Sequence, residues 1–417
     1  MEDLKLHKKQ ITKFGFYGLL KNLRFFEPYM LVYFLLSGIN LFYIGILFSI
    51  REIIIYLFEI PSGVIADRYG KKTELVLCFL FYIASFIVFF IGGQFYIFAI
   101  AMILYALGEA FRSGTHKSMI MSFLDKNQIK DSKTKVYGLT RSYSLIGSMI
   151  ASLVSIGLVL WLPEIRYLFL VAIIPYLIDL LLILSYPKSL NERRDVDFSF
   201  KSFMKHNIMS IKYAFKERKV RNAIFNSASY QATFKNIKDY IQPIIVTMSL
   251  SVVLFSSLNE DEQTKVWLGL IYAFIYLMSA VSSKNTYKVK KIGESQTLIT
   301  FIWLVTGLTI LGLSFFLESI IIVIIAFLLI YVMMNIRKPM MVEIIGDVTK
   351  EDQRATVLSV EAQTSSLLVV IFAPLIGWIA EYSMSLMLFI FGTFMCLVFL
   401  GSFLHLRKKN VQNSNPI

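Results

Sequence analysis

Within one long apolar run, Tyr105, Glu109, Arg112 and His116 recur at intervals of three or four residues. That spacing places them on one face of a helix. A carboxylate one turn from an arginine has an ionisation that responds to the arginine's charge and to hydration, as a proton carrier requires. His116 titrates near neutrality in principle, although beside a loop it can simply be solvated. Other apolar runs carry Lys21, Arg24 and Glu27; Arg51, Glu52 and Glu59; Arg141; Asp179; Lys235, Lys238 and Asp239; and Glu361. Glu52 and Glu59, seven apart, share a helix face. A charge at the bilayer centre costs at least about 2.5 kcal/mol, so it faces a cavity or a partner. Single members have plainer readings: Lys21 reaches the interface, and Arg51–Glu52 and Lys235–Asp239 form structural ion pairs. The whole set is too large for packing alone and points to an aqueous or solute-filled cavity.

The most polar run, FNSASYQATFKNIKDYIQP, sets Ser227, Gln231, Lys235, Lys238, Asp239 and Gln242 along one stripe, flanked by Tyr230 and Phe234. It offers hydrogen bonds, charge and aromatic surface to a solute, and part of it can instead face the eleventh apolar run. There is no Walker-type phosphate loop, nucleophile elbow or metal-spaced histidine cluster. No catalytic residue, metal or cofactor is therefore expected, and the chain does not read as an enzyme. Active transport without an ATP motif needs an ion gradient. Cys78 and Cys396 fall in apolar runs and read as packing residues.

The elements that hold these residues are membrane spans. Of the 417 residues, 56% are hydrophobic and 17% charged, against roughly 25% charged in soluble domains. The apolar blocks approach the ~20 residues that cross a bilayer core. About twelve are expected, at 14–36, 41–66, 73–92, 94–123, 134–160, 167–186, 221–247, 266–284, 295–316, 319–346, 355–380 and 383–405. The first runs on as a full span, so no cleavable leader is expected. The fold class is all-α membrane protein, with twelve helices in two six-helix pseudo-symmetric bundles. The expected division is 1–186 for the first bundle, 187–220 for a cytoplasmic linker and 221–417 for the second. Within the linker, Phe200, Phe203, Ile208, Ile211 and Phe215 have helical spacing among basic residues, which reads as an amphipathic surface helix.

Alternate connections hold the positive charge: Lys5 to Lys13, Arg68 to Lys72, Lys117 to Lys135, Lys188 to Arg221, Lys284 to Lys291, Arg337 to Arg354, and Arg407 to Lys409. Positive residues mark cytoplasmic loops, so a multi-pass inner (plasma) membrane protein with both termini cytoplasmic is expected. The net charge of +14 is then an orientation signal, and no nucleic-acid partner is expected.

The halves echo each other: RSGTHKSMIMSFLDKNQ followed by KVYGLTRS parallels IRKPMMVEIIGDVTKEDQ followed by RATVLSVE. After the second span, GVIADRYGKK resembles the signature loop of the major facilitator superfamily, G-x-L-A-D-R-x-G-R-K. Gly63, Ala66, Asp67, Arg68, Gly70 and Lys72 match, and Lys71 replaces an arginine. The second-half counterpart, SSKNTYKVKKIGE, lacks the Asp-Arg core. SLIGSMIASLVSIG lacks the proline of the superfamily's drug/proton antiporters. The resemblance implies that spans one, four, seven and ten line a central cavity. It implies that Arg112 is a buried arginine tied to proton coupling. It implies a conformational latch made by Gly63, Asp67, Arg68, Gly70 and Lys71, with Asp67 engaging the start of span eleven near Arg354, where backbone N–H groups favour an anion. Gly63 and Gly70 would give close packing and a tight turn.

Together these features lead to a secondary active transporter working by alternating access. Proton coupling and cavity roles are expected for Arg24, Glu27, Glu52, Glu59, Tyr105, Glu109, Arg112 and Arg141. A substrate-cavity role is expected for Ser227, Tyr230, Gln231, Lys235 and Asp239. The expected partners are a small-molecule substrate, protons and the lipid bilayer, with the chain a monomer. Export of an amphiphilic or zwitterionic solute comes first and proton-driven uptake of a small polar metabolite second; a lipid flippase or a non-transporting receptor is the reading from another class.

Overall fold

A computed structural model describes residues 7–112, 115–127, 133–191, 212, 215–248, 257–289, 291, 293–349 and 354–414. Among the described residues there are helices and turns and no strand. The described residues form fifteen α-helices: α1 Lys8–Leu20, α2 Met30–Leu36, α3 Leu41–Tyr69, α4 Lys71–Ile91, α5 Phe95–Arg112, α6 Thr115–Lys126, α7 Lys133–Trp161, α8 Tyr167–Leu184, α9 Arg218–Ile237, α10 Ile241–Thr247, α11 Glu260–Val289, α12 Ser295–Leu313, α13 Ile320–Val348, α14 Arg354–Tyr382 and α15 Met384–Ser414. The expected surface helix falls mostly outside the described residues; Phe215 alone of its apolar set lies within them.

Ten helices among the described residues are long and apolar enough to cross a bilayer. They match ten of the twelve expected spans. Spans one and seven differ because both are broken. In span one, α1 stops at Leu20, and a 3-10 turn over Glu27–Tyr29, with Pro28 in its first positions, precedes α2. In span seven, α9 ends at Ile237, a 3-10 turn covers Lys238–Tyr240, and Pro243 sits in the first turn of α10. Proline lacks an N–H and fits best in the first turn of a helix, as at these two restarts, although Pro61, Pro175, Pro339 and Pro374 sit inside long helices. The run of charges beside each proline adds polar side chains that a continuous apolar helix has no room for. Carbonyls freed in a membrane need new donors, and the hydroxyl of Tyr176 donates to the Lys21 carbonyl at 2.8 Å.

The chain divides into two compact units, Met1–Phe203 with Val252–Leu277, and Met204–Ser251 with Met278–Ile417. In the first, α4 packs on α5 and α8, α3 packs on α5, and α1 packs on α7 and α8. The centre is aromatic: Phe26, Phe86, Phe89 and Phe169 are buried, with Phe26 and Phe169 stacked at 4.6 Å between ring centroids. Segment 252–277 joins this unit, where the Tyr29 hydroxyl donates to the Lys265 carbonyl at 2.9 Å. In the second unit α9 packs on α13 and α14, and α12 packs on α13 and α15.

One end of the first unit collects the basic residues that sequence order assigns to one membrane side. The Lys13 ammonium donates to the Ser185 hydroxyl at 2.8 Å, Lys72 donates to the Leu184 carbonyl at 2.6 Å, and Lys71 donates to the Ser122 hydroxyl at 2.9 Å. Tyr96 at the start of α5 and Trp161 at the end of α7 are 74% and 82% exposed, as expected of aromatic anchors at a bilayer interface.

The signature loop makes the sharpest turn of that end. Gly70 separates α3 from α4 at φ +96°, and a Cβ there would overlap the Asn191 side chain, whose Oδ1 accepts from the Lys72 N–H at 3.0 Å. Gly70→Ala is expected to destabilise the protein by about 1–3 kcal/mol, the scale of forcing a side chain into a glycine-only conformation. A thermal melt of the detergent-solubilised variant with an unchanged midpoint would rule this out.

Candidate functional site

The break in span one leaves Arg24 outside regular helix, and its guanidinium turns toward α5. It donates to Glu109 Oε1 at 2.6 Å and through Nε to the Tyr176 hydroxyl at 3.2 Å. From the next turn of α5, Arg112 donates to Glu109 Oε2 at 2.5 Å. Tyr82 on α4 completes the set: its hydroxyl donates to Glu109 Oε1 at 2.8 Å and accepts from Arg112 Nε at 3.1 Å. Gly108 lets α4 come this close, since a Cβ there would stand 2.8 Å from the Tyr82 ring. The Arg24 guanidinium also lies 5.6 Å from the Tyr105 ring centroid, within cation–π range. The result is one carboxylate bridged by two guanidiniums inside a cage of three tyrosines, Tyr82, Tyr105 and Tyr176.

This triad is accessible in part. The side chains of Arg24 and Glu109 are each 16% exposed and that of Arg112 is 26% exposed. With two cations to one anion it carries a net positive charge. Charge-assisted bonds of this kind are strong and directional, which holds the cationic faces in place for an anionic group.

The second unit holds a counterpart. Arg337 lies in the stretch of α13 that parallels Arg112 in the internal repeat, and it is 1% exposed. Sequence order placed it among the cytoplasmic loop charges; the structure buries it, because α13 runs on unbroken to Val348. No carboxylate forms an ion pair with it among the described residues. Instead Nη2 donates to the Asn226 carbonyl at 2.9 Å and to the Asn226 side-chain oxygen. Its guanidinium lies 4.2 Å from the Tyr230 ring centroid and 5.5 Å from that of Trp303. The Trp303 indole N–H donates to Asn226 Oδ1 at 3.3 Å, and the Tyr230 and Thr306 hydroxyls are 2.7 Å apart.

The residues singled out from sequence thus separate. Arg24, Tyr105, Glu109 and Arg112 come together. Glu52 is buried and accepts from Arg51 at 3.3 Å on α3, and Arg141 is exposed on α7. Glu27 and Glu59 are half-buried. Ser227 donates to Glu361 on α14 at 2.7 Å and Gln231 donates to the same oxygen, so that end of the stripe faces span eleven. Tyr230 is buried beneath Arg337, and Asp239 accepts from its neighbour Lys238 at 2.7 Å. In the latch set, Arg68 is exposed, and a Cβ on Gly63 would meet nothing within 4 Å among the described residues. The side chains of Asp67 and Arg354 lie outside the described residues. His116, expected near a solvated mouth, stacks on Tyr17 with centroids 3.6 Å apart.

Tyr82, Tyr176, Asn226 and Trp303 were not marked from sequence. A single tyrosine or tryptophan in an apolar run carries no signal of its own. For Arg337 the repeat itself was the signal, since its alignment with Arg112 predicts a second buried arginine.

The sequence profile described as Major Facilitator Superfamily matches residues 22–334. YxaM of Bacillus subtilis (strain 168), named an uncharacterized MFS-type transporter, is 26% identical over 228 residues, which are 54% of this chain and 56% of that protein. The chain thus spans about half the length of the curated relative it matches. Among solved structures, a POT family transporter in complex with 5-aminolevulinic acid aligns over 94% of this chain and 95% of its own, with a TM-score of 0.76 at 14% identity. The nucleoside transporter NupG aligns over 96% and 98%, with a TM-score of 0.73 at 12% identity. At such identities these two share the fold alone. The signature loop, the ten apolar helices, the arginines at corresponding places of the two halves and a profile match over most of the length agree: this multi-pass membrane protein belongs to the Major Facilitator Superfamily.

Proposed function

We propose that the protein is a secondary transporter of the plasma membrane that exports a small zwitterionic or amphiphilic solute in exchange for protons. The observation that carries this reading is the partly accessible Arg24–Glu109–Arg112 triad in its tyrosine cage. Two guanidiniums against one carboxylate favour a solute with an anionic group, and the rings favour an apolar or cationic body beside it. The broken spans one and seven support binding near mid-membrane. The basic residues gathered at one end of the first unit support cytoplasmic termini.

The test compares solutes released by cells with and without the protein. Accumulation of one zwitterionic class outside, abolished by a protonophore, is the expected result. Depletion of that class from the medium would reverse the direction, and movement of labelled phospholipid without solute would replace transport by lipid flipping.

The signature loop is proposed as the latch of the transport cycle. Asp67→Asn is expected to lower turnover roughly tenfold while leaving solute affinity within about twofold, the pattern of a lost conformational step. Equal losses of binding and turnover would make the loop a folding element.

A further inference from the structure

Asp179 lies in the apolar helix α8, four residues beyond Pro175, and is 0% exposed. Neither of its carboxyl oxygens receives a hydrogen bond from any described residue. The other buried carboxyls of the first unit differ. Glu109 accepts from Arg24, Arg112 and Tyr82, Glu52 from Arg51, and Glu74 from the Thr115 hydroxyl at 2.7 Å. An ionised carboxylate stripped of water and donors is far more costly to bury than the neutral acid.

Two more polar groups beside it are uncommitted among the described residues. The Tyr17 hydroxyl is buried and has no hydrogen-bond partner. The Lys21 ammonium forms no ion pair and lies over the Tyr17 ring, 5.6 Å from its centroid. Lys21 is the charged residue within electrostatic reach of Asp179, and Tyr17 and Tyr186 are its titratable neighbours. Helix α4, packed on the same helix, presents Phe79 and Tyr82, and the Tyr82 hydroxyl is already spent on Glu109. Arg141 on α7 is exposed. His116 is stacked on the Tyr17 ring and within hydrogen-bond distance of the Tyr186 hydroxyl at 3.3 Å.

We propose that Asp179 is a proton-binding site distinct from Glu109, which alternates between the neutral acid in this packing and a carboxylate paired with Lys21. On release the carboxyl O–H bond breaks, the proton passes to water, and the ammonium of Lys21 becomes the counter-ion. Reloading from water restores the acid and frees Lys21. Lys21 stands at the break of span one, where its backbone can pivot. Its carbonyl is held by Tyr176, one turn before Asp179, and the same hydroxyl receives Arg24. Protonation of Asp179 therefore connects to the triad through one tyrosine. The role in transport rests on the proton-coupled reading above; the site itself does not.

Infrared difference spectra of the full chain in liposomes, taken across pH, test the site without any solute. The expected result is a carboxylic C=O band that Asp179→Asn removes. In Lys21→Met the band should persist to more alkaline pH by about one to two units, the effect of losing one nearby opposite charge. Asn is isosteric with the neutral acid, so the variant retains the packing. Absence of the band from the wild type, or a band indifferent to both substitutions, overturns the proposal. A band that behaves as expected in a protein whose solute movement ignores the pH gradient upholds the site and overturns proton coupling instead.

Discussion

Glu109→Gln is expected to abolish proton-coupled solute movement in proteoliposomes and to lower the thermal midpoint of the purified protein. The amide keeps the shape but removes the negative charge that bridges Arg24 and Arg112. Two guanidiniums then face each other, and one amide nitrogen confronts a donor. Removing one partner of a buried ion pair costs about 3–5 kcal/mol, and the partial exposure of this triad lowers that to about 2–3 kcal/mol. A loss of that size in the transporting state is roughly a hundredfold in rate. Glu109→Asp, which retains the charge but shortens the reach, should keep the melting midpoint closer to wild type while still slowing transport. Transport at the wild-type rate in Glu109→Gln would remove the triad from the mechanism, and an unchanged midpoint would show that its bonds add no stability.

Arg337→Lys is expected to destabilise the second unit by about 2–3 kcal/mol, mostly through lost geometry, since the charge is conserved. The guanidinium lies 4.2 Å from the Tyr230 ring centroid and bonds the backbone and side chain of Asn226 at once. An ammonium is a point charge with a stronger hydration shell and cannot do both. The Asn226 carbonyl keeps its helical hydrogen bond within α9 but loses the second, charge-assisted donor, a bond worth about 1.5–3 kcal/mol. With Trp161, Trp267 and Trp378 replaced by Phe, the fluorescence of Trp303 reports this site, and its emission should shift to the red in Arg337→Lys. Emission and midpoint identical to those of the parent would refute the packing argument. If Arg337 instead contacts solute, transport will fall with the midpoint unchanged.

The contrast between Arg112 and Arg337 shows how far repeat symmetry carries. The internal echo of the sequence places both late in corresponding spans. Their partners are unlike, because Glu109 lies one turn from Arg112, while the position three before Arg337 is Met334. The first arginine therefore finds a carboxylate on its own helix, and the second relies on Asn226 of α9 and two aromatic faces.

Much was legible in the chain itself. Block length and hydropathy determine that helices cross a bilayer, since only a helix satisfies its own backbone there. The alternation of lysine and arginine between loops determines which ends belong together. Gly70 in the signature loop determines a sharp turn, because its φ is open to glycine alone. The spacing of Tyr105, Glu109 and Arg112 determines a common face.

Only the tertiary structure decided what those faces meet. Spacing along one helix cannot say that Tyr82 and Tyr176, from runs that read as plain membrane span, close on Glu109 and Arg24. Periodicity could not show that spans one and seven break, because the break follows from local charges beside Pro28 and Pro243. The stripe of α9 looked solute-facing, yet Ser227 and Gln231 bond Glu361, because the choice between a cavity and a neighbouring helix depends on what α14 presents. Asp179 is the clearest case. Its sequence shows one acid in an apolar helix, and packing leaves that acid without a donor among the described residues, within electrostatic reach of Lys21.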